Sequence, residues 1–168
     1  MTTVGWIDIF SRKRYRDIIV DSLRFCQEKK GLKLFGYVIM SNHVHAIVRT
    51  EGIELSNVLR DFKTFTAHEI LKSIQAEPES RREWLLYMFH YFAGGDHARN
   101  KHYQFWQSDN HPIELWSLPV IWQKLNYIHD NPVRAGIVEH SYDYLYSSSR
   151  NYRLGSGLLD VVLIEGPD

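Results

Sequence analysis

The fold is decided by residues 33–50, which have the sequence KLFGYVIMSNHVHAIVRT. Val, Ile, Phe and Tyr are enriched in β-strands, and the polar pair Ser41-Asn42 separates two runs that are rich in such residues. The pattern predicts two antiparallel strands, residues 33–40 and 43–50, joined by a tight turn.

Helices and further strands are predicted on both sides of this hairpin. Apolar residues recur at helical spacing before and after it, and a loosely alternating apolar run opens the chain. The predicted elements are strands at 2–10 and 103–107, and helices at 15–30, 55–75 (with Ser56 as N-cap), 78–92, 118–131 and 144–152. This order predicts an α+β fold, with a ferredoxin-like antiparallel sheet (split β-α-β) and helices mainly on one face. No linker divides the chain, so residues 1–168 are predicted to form one domain, of which roughly 137–168 is a C-terminal extension.

The overall charge is balanced, but its distribution is uneven. The 168 residues hold 20 Lys and Arg and 20 Asp and Glu, whereas residues 1–50 hold nine cations and four anions. A basic half can attract phosphates, and it can equally be a solvated surface. The single cysteine, Cys26, excludes an internal disulfide. With no membrane-spanning run and no signal-peptide pattern, we expect a cytoplasmic protein without a membrane partner.

The clearest chemical motif is His43-Val44-His45 in the second predicted strand. Side chains alternate along a strand, so the two imidazoles share one face while Val44 points to the other. Two imidazoles on one face can converge on a metal ion. A chain with nine histidines also contains such a spacing by chance, so the motif alone leaves both interpretations open.

A second motif lies in the predicted helix at 118–131. Tyr127 and Asn131 are four residues apart and therefore share a helix face. A tyrosine beside an amide and near a metal suits phosphoryl transfer. The alternative is a half-buried helix tyrosine followed by an asparagine that caps the helix before Pro132.

The two motifs resemble those of a known family. Residues 36–48, GYVIMSNHVHAIV, resemble the His-hydrophobic-His (HUH) strand of single-tyrosine, IS200-like transposases. Residues 124–138, KLNYIHDNPVRAGIV, resemble the tyrosine helix of REP-associated tyrosine transposases. Shorter segments at 105–107 and 146–150 are also similar, and the motifs stand in the family's order. The resemblance covers nearly the whole chain and implies an HUH endonuclease type of fold.

The resemblance implies a mechanism and a set of site residues. Tyr127 would be the nucleophile that forms a 5′-phosphotyrosine, and His43 and His45 would be metal ligands. Asn131 stands where relatives have a glutamine that completes the metal site, and its side chain is one methylene shorter. His129 is a weaker candidate because it faces away from Tyr127. The implied cofactor is a divalent metal, Mg²⁺ or Mn²⁺.

The implied substrate is single-stranded DNA that carries a hairpin, such as a REP-like palindrome. Cations near the first strand and on the second helix can contact phosphates, and aromatic residues at 103–106 can stack on unpaired bases. The alternatives are solvated cations and core aromatics. The candidate DNA-binding residues are Arg12, Lys13, Arg14, Arg16, Arg60 and Lys63.

Three functions remain to be compared. The first is DNA strand cleavage and rejoining through Tyr127. The second is a hairpin-binding protein of the same fold with impaired catalysis, because Asn131 replaces glutamine and relatives have several residues before Val4-Gly5-Trp6. The third, a metal hydrolase or an RNA-binding module, explains neither motif. The resemblance leaves two assembly states open, a monomer and a homodimer.

Overall fold

Two regular strands form the centre of the protein in a computed structural model that describes residues 1–94, 102–108 and 112–166. Strand β1 (Leu32–Ile39) pairs antiparallel with strand β2 (Val44–Thr50). Val38 lies opposite His45, and Gly36 lies opposite Ile47. The register shifts between Leu34 and Gly36. The hairpin predicted from the sequence is confirmed.

Short antiparallel bridges extend this pair on both sides. Next to β2, Thr2 pairs with His43 and Thr3 pairs with Trp106, while Ser147 pairs with Val38 on the far edge of β1. The backbone N–H of Val4 donates to Phe105 O at 2.9 Å. The segments therefore run in the order 146–148, β1, β2, 1–4, 105–107, which agrees with the expected α+β fold and its antiparallel sheet.

The first segment is shorter as a strand than the sequence predicts. Only its start pairs with neighbours, and the strand predicted over 2–10 is replaced by 3-10 turns at Val4–Trp6 and Ile9–Ser11. Ile9 and Phe10 are both fully buried, and the turns carry these side chains into the core. The strand predicted at 103–107 is likewise reduced to the bridge at Trp106.

Helices α1 (Lys13–Lys30) and α2 (Leu55–Ala76) pack against each other, and α1 also contacts β1. Helix α1 ends at Gly31, whose φ of 63° is the left-handed conformation that glycine adopts readily. The prediction of Ser56 as N-cap of α2 is wrong. The cap position is Glu54, so Ser56 lies inside the first turn of the helix.

Three later helices complete the fold: α3 (Arg82–Phe92), α4 (Leu118–Arg134) and α5 (Ser149–Leu154). Helix α4 continues through Pro132, so its predicted end at Asn131 is wrong. Proline removes the backbone donor that would bond to the residue four positions earlier, and the helix ends two residues later at Arg134. In the part of the chain that the structure describes, no helix is long and apolar enough to cross a membrane.

Helix α4 approaches the sheet closely at Gly36 of β1. A Cβ atom added at this glycine would lie 2.5 Å from Leu125 Cδ1, and Leu125 is fully buried. The backbone of Gly36 has no unusual φ, so the glycine is needed for space rather than for conformation. Because Gly36 lies opposite Ile47, α4 covers the face of the sheet that also carries His45.

Candidate active site

The two histidines of the sequence motif lie side by side at the start of β2. Their ring centroids are 4.8 Å apart, and the rings are nearly perpendicular. Val44, between them, is buried on the opposite face of the sheet with 1% of its surface exposed. The strand therefore presents two imidazoles on one face, as the alternation predicts.

Asn42, in the turn before the strand, determines which nitrogen of His43 carries a proton. Its Nδ2 donates to Trp6 O at 3.2 Å, so its Oδ1 is the acceptor that lies 2.7 Å from His43 Nδ1. His43 must then donate from Nδ1, which leaves a lone pair on Nε2. A hydrogen bond of this kind orients histidines that bind metals through the other nitrogen.

The surroundings keep both imidazoles uncharged. Burial lowers the pKa of His43, and the positive charge of the chain's amino group adds to the effect. Burial lowers the pKa of His45 to about 4, with further contributions from His43 and the amino group. Only a neutral imidazole can donate a lone pair to a metal ion, so the pair is ready to bind one at neutral pH.

Tyr127 of α4 lies against this pair. Its ring centroid is 5.8 Å from that of His45 at an interplanar angle of 76°, and 45% of the residue is exposed. Leu125 and Ile128 are buried on the other side of the helix and hold it against the sheet. The guanidinium carbon of Arg134, two turns later, lies 5.4 Å from the centroid of the Tyr127 ring.

Asn131 lies one turn after Tyr127, as predicted. Its Nδ2 donates to the backbone oxygen of Tyr127 at 2.8 Å, so the structure ties the amide to the helix rather than to either histidine. No group of three or more His, Cys, Asp or Glu residues that could hold a metal occurs in the described ranges. Two imidazole nitrogens with one amide oxygen still fit a divalent ion that keeps open positions for a phosphate.

His129 has a structural environment. It is 7% exposed, its Nε2 lies 2.8 Å from Ser148 Oγ, and its ring contacts Tyr152. Burial lowers its pKa to about 4. The side chain points away from Tyr127 and links α4 to the 146–148 segment beside β1.

The candidate DNA-binding cations of the first segment are engaged within the protein. Arg12 and Arg14 both reach the buried carboxylate of Glu79, at 3.4 and 3.0 Å. Lys13 forms an ion pair with Asp17 at 2.7 Å on the helix surface. These contacts pair the cations with carboxylates of the protein itself, although Lys13 remains largely exposed.

The other three candidate cations lie on α1 and α2. Arg16 stacks over Tyr146, with its guanidinium carbon 4.3 Å from the ring centroid, and Arg60 forms an ion pair with Asp61 at 3.2 Å. Lys63 donates to Gln107 O at 2.7 Å, and its charge lowers the pKa of the Met1 amino group, the group that acts on both histidines. Lys63 is therefore linked to the histidine pair through the Met1 amino group.

The aromatic residues at 103–106 belong to the core instead of a stacking surface. Phe105 and Trp106 are 2% and 5% exposed, and the indole N–H of Trp106 donates to Thr66 Oγ1 at 3.1 Å. The core alternative raised from the sequence is the one observed. Sequence reasoning missed Asn42 and Arg134, although both stand inside the quoted motifs, and it missed Glu79, whose partners are distant in sequence.

The sequence and the fold are both similar to those of known proteins. The family model described as "Transposase IS200 like" matches residues 8–103. The chain belongs to the IS200-like transposase family. The matched range includes both histidines and ends before Tyr127. No curated protein matches the chain.

A solved structure shares the fold of this IS200-like transposase. It is described as a REP-associated tyrosine transposase bound to a REP hairpin, and it superimposes with a TM-score of 0.60 at 14% sequence identity. The similarity covers 99% of this chain and 87% of the other. At this identity the comparison establishes the architecture, including α4 and the segments that follow it.

Proposed function

We propose that the protein is a metal-dependent single-strand DNA endonuclease and transposase, which cleaves and rejoins DNA next to hairpins through a 5′-phosphotyrosine on Tyr127. The observation that carries the proposal is the contact between the rings of Tyr127 and His45 at 5.8 Å. The two residues come from distant parts of the sequence, and neither ring is needed there to fill the core. A neutral tyrosine hydroxyl is a weak nucleophile, and the two imidazoles beside it are groups that could hold an activating metal ion.

The reaction follows from the chemistry of these groups. The Tyr127 hydroxyl oxygen attacks a phosphodiester phosphorus, losing its proton as the bond forms. The P–O3′ bond breaks, the 3′-oxygen leaves and takes up a proton, and the 5′ end stays covalently attached to Tyr127. Attack by a second 3′-hydroxyl reverses the step and joins two strands, so no external energy source is required.

A divalent ion fits the site, with His43 and His45 as ligands and Asn131 as the third candidate. When bound, Mg²⁺ or Mn²⁺ supplies a positive charge that neutralises a non-bridging phosphate oxygen. The neutral state of both imidazoles supports this assignment. Asn131 donates from Nδ2 to the helix backbone, so its Oδ1 would be the atom that faces the ion, and the hydrogen bond limits where that oxygen can point.

The proposed substrate is single-stranded DNA with a REP-like hairpin. The family assignment and the hairpin bound to the solved transposase of the same fold support this choice. Phosphate contacts are proposed for Lys63 and for the largely exposed Lys13. Arg12, Arg14, Arg16 and Arg60 remain candidates, and all six cations have partners within the protein that DNA would have to replace or share.

A covalent adduct tests the proposal directly. Protein is incubated with end-labelled single-stranded hairpin DNA and Mn²⁺ or Mg²⁺, and the products are separated on a denaturing gel. We expect a DNA–protein band for the natural sequence and none for Tyr127→Phe, which removes only the nucleophilic oxygen. Tyr87→Phe is the matched control, because Tyr87 is an exposed helix tyrosine on α3, and it should leave the band unchanged.

Two outcomes would change the conclusion. A band that survives Tyr127→Phe would show that another group is the nucleophile, and a band that survives chelation would exclude the metal. Hairpin binding without any band would indicate the impaired hairpin-binding protein. The hydrogen bond between the Asn131 side chain and the helix backbone is the observation that favours this second function.

A further inference from the structure

Trp6 is exposed beside the metal-ligand pair. The residue is 62% exposed, whereas Val4 and Ile7 on either side of it are buried. Its ring centroid lies 6.4 Å from that of His43. The indole, His43, His45 and Tyr127 are thus connected by successive ring-to-ring contacts.

The backbone holds Trp6 in an unusual conformation. Its φ is 55°, and in the parts of the chain that the structure describes it is the only non-glycine residue with a positive φ. Bulky residues rarely adopt this region, and they do so mostly where function requires it. Gly5 is also left-handed, and it packs so closely on Phe92 that a Cβ atom there would overlap the ring.

Asn42 connects this conformation to the site. It donates to Trp6 O at 3.2 Å and accepts from His43 Nδ1 at 2.7 Å. One side chain therefore holds the backbone of Trp6 and orients a candidate metal ligand. An exposed tryptophan lowers the solubility of a protein. A tryptophan without a role at the surface would not need a hydrogen bond that holds its backbone in an unusual conformation.

We propose that Trp6 is a stacking platform for an unpaired base of the DNA strand, next to the phosphate that Tyr127 attacks. This inference rests on the proposed function. Stacking on a flat, exposed ring is how proteins bind unpaired bases. The ring-to-ring distances from Trp6 through the histidines to Tyr127 are 6.4, 4.8 and 5.8 Å. Successive nucleotides of a strand are at least about 3.4 Å apart, so the stacked base belongs to a nucleotide no more than about five positions from the phosphate.

Binding measurements test the role of the ring. In a Tyr127→Phe background, which prevents covalent trapping, the Kd is measured by fluorescence anisotropy for a labelled DNA hairpin with unpaired flanks. We expect Trp6→Ala and Trp6→Gly to weaken binding by about five- to 100-fold, and Trp6→Phe to retain most of it. Trp6→Gly also relieves the backbone, so equal losses in both variants assign the effect to the ring. Trp116→Ala, at another highly exposed tryptophan, should bind normally.

The stacked nucleotide is located with abasic probes. Removing the base that contacts Trp6 should weaken binding as much as Trp6→Ala does, and combining the two changes should cause no further loss. Additive losses at every position would overturn stacking, and so would unchanged binding by a folded Trp6→Ala variant that otherwise forms the adduct. A natural sequence that neither binds the hairpin nor forms the adduct would overturn the proposed function as well.

Discussion

At the scale of single residues, Glu79 explains why Arg12 and Arg14, near the start of the chain, are paired within the protein. Its side chain is fully buried. It accepts hydrogen bonds from Arg14 and Tyr15 at 3.0 Å and from the backbone N–H of Arg81 at 3.1 Å. Burial alone would raise the pKa of this carboxyl, but the hydrogen bonds and the charge of Arg12 hold it below its ordinary value of 4.5.

Because the pKa of Glu79 is lowered by folding, its ionised form stabilises the folded state. That stability is fully present above about pH 4.5 and is lost as the pH falls through the lowered value. We expect Glu79→Gln to reduce the free energy of unfolding by about 1–3 kcal/mol at neutral pH, since a buried charged acceptor is lost. The difference from the natural sequence should disappear in acid, as measured by urea denaturation across pH.

Glu77→Gln is the matched control for this change. Glu77 also faces Arg14, at 3.6 Å, but its side chain is 58% exposed, and exposed ion pairs contribute about 0–1 kcal/mol. A loss for Glu77→Gln equal to that for Glu79→Gln would contradict the assigned role of burial. So would a Glu79→Gln deficit that persists at low pH.

At the scale of elements, the packing of α4 on β1 sets the distance between Tyr127 and His45. The two residues lie on different elements, so their contact depends on how closely the helix approaches the sheet. Gly36 permits that approach because it leaves room for Leu125. Tyr127 is two residues after Leu125 in the same helix, so any displacement at Gly36 is transmitted to the candidate nucleophile.

Gly36→Val should therefore impair adduct formation more than DNA binding. An added side chain pushes Leu125 and α4 outward, and a misplacement of about 1 Å in an active site can lower a rate by about 100-fold. The measurement compares the rate of adduct formation with the Kd for the hairpin. Leu125→Ala in the same chain removes the obstructing atoms and should restore part of the rate; no restoration would mean that Gly36 acts in another way.

The elements also show what local sequence can predict. The β1–β2 hairpin was predicted because strand-forming residues and a turn coincide in one stretch. The strand predicted over 2–10 is wrong, because 3-10 turns in this segment carry Ile9 and Phe10 into the core. The end of α4 was misjudged since Pro132 is tolerated when it lies within the last turn.

At the scale of the whole molecule, local sequence predicts one part of the site, and contacts between distant segments determine the rest. Strand alternation alone places His43 and His45 together. The contact of Tyr127 with His45 is tertiary, so the sequence pointed to it only through a family resemblance. The engagement of Arg12 and Arg14 with Glu79 could not be foreseen, because no local pattern identifies a partner that lies in another part of the chain.

The balanced charge predicts a weak dependence of DNA binding on salt. The net charge is zero, and most of the candidate DNA-binding cations already contact a carboxylate or an aromatic ring. For single strands the logarithm of the binding constant falls with the logarithm of salt concentration by about 0.7 for each phosphate contact. We expect a slope no steeper than about −3 in anisotropy titrations. A slope near about −4, the value for all six candidate cations on phosphates, would mean that Arg12 and Arg14 leave Glu79 to bind DNA.

The order of the segments in the sheet has a consequence for synthesis of the protein. The first residues lie between β2 and the 105–107 segment, and α4 supplies the tyrosine 82 residues after His45. A nascent polypeptide on the ribosome thus carries both histidines before it carries Tyr127. Under the proposed chemistry, such a growing chain has no nucleophile, so the capacity to cut DNA arises only after α4 has been made.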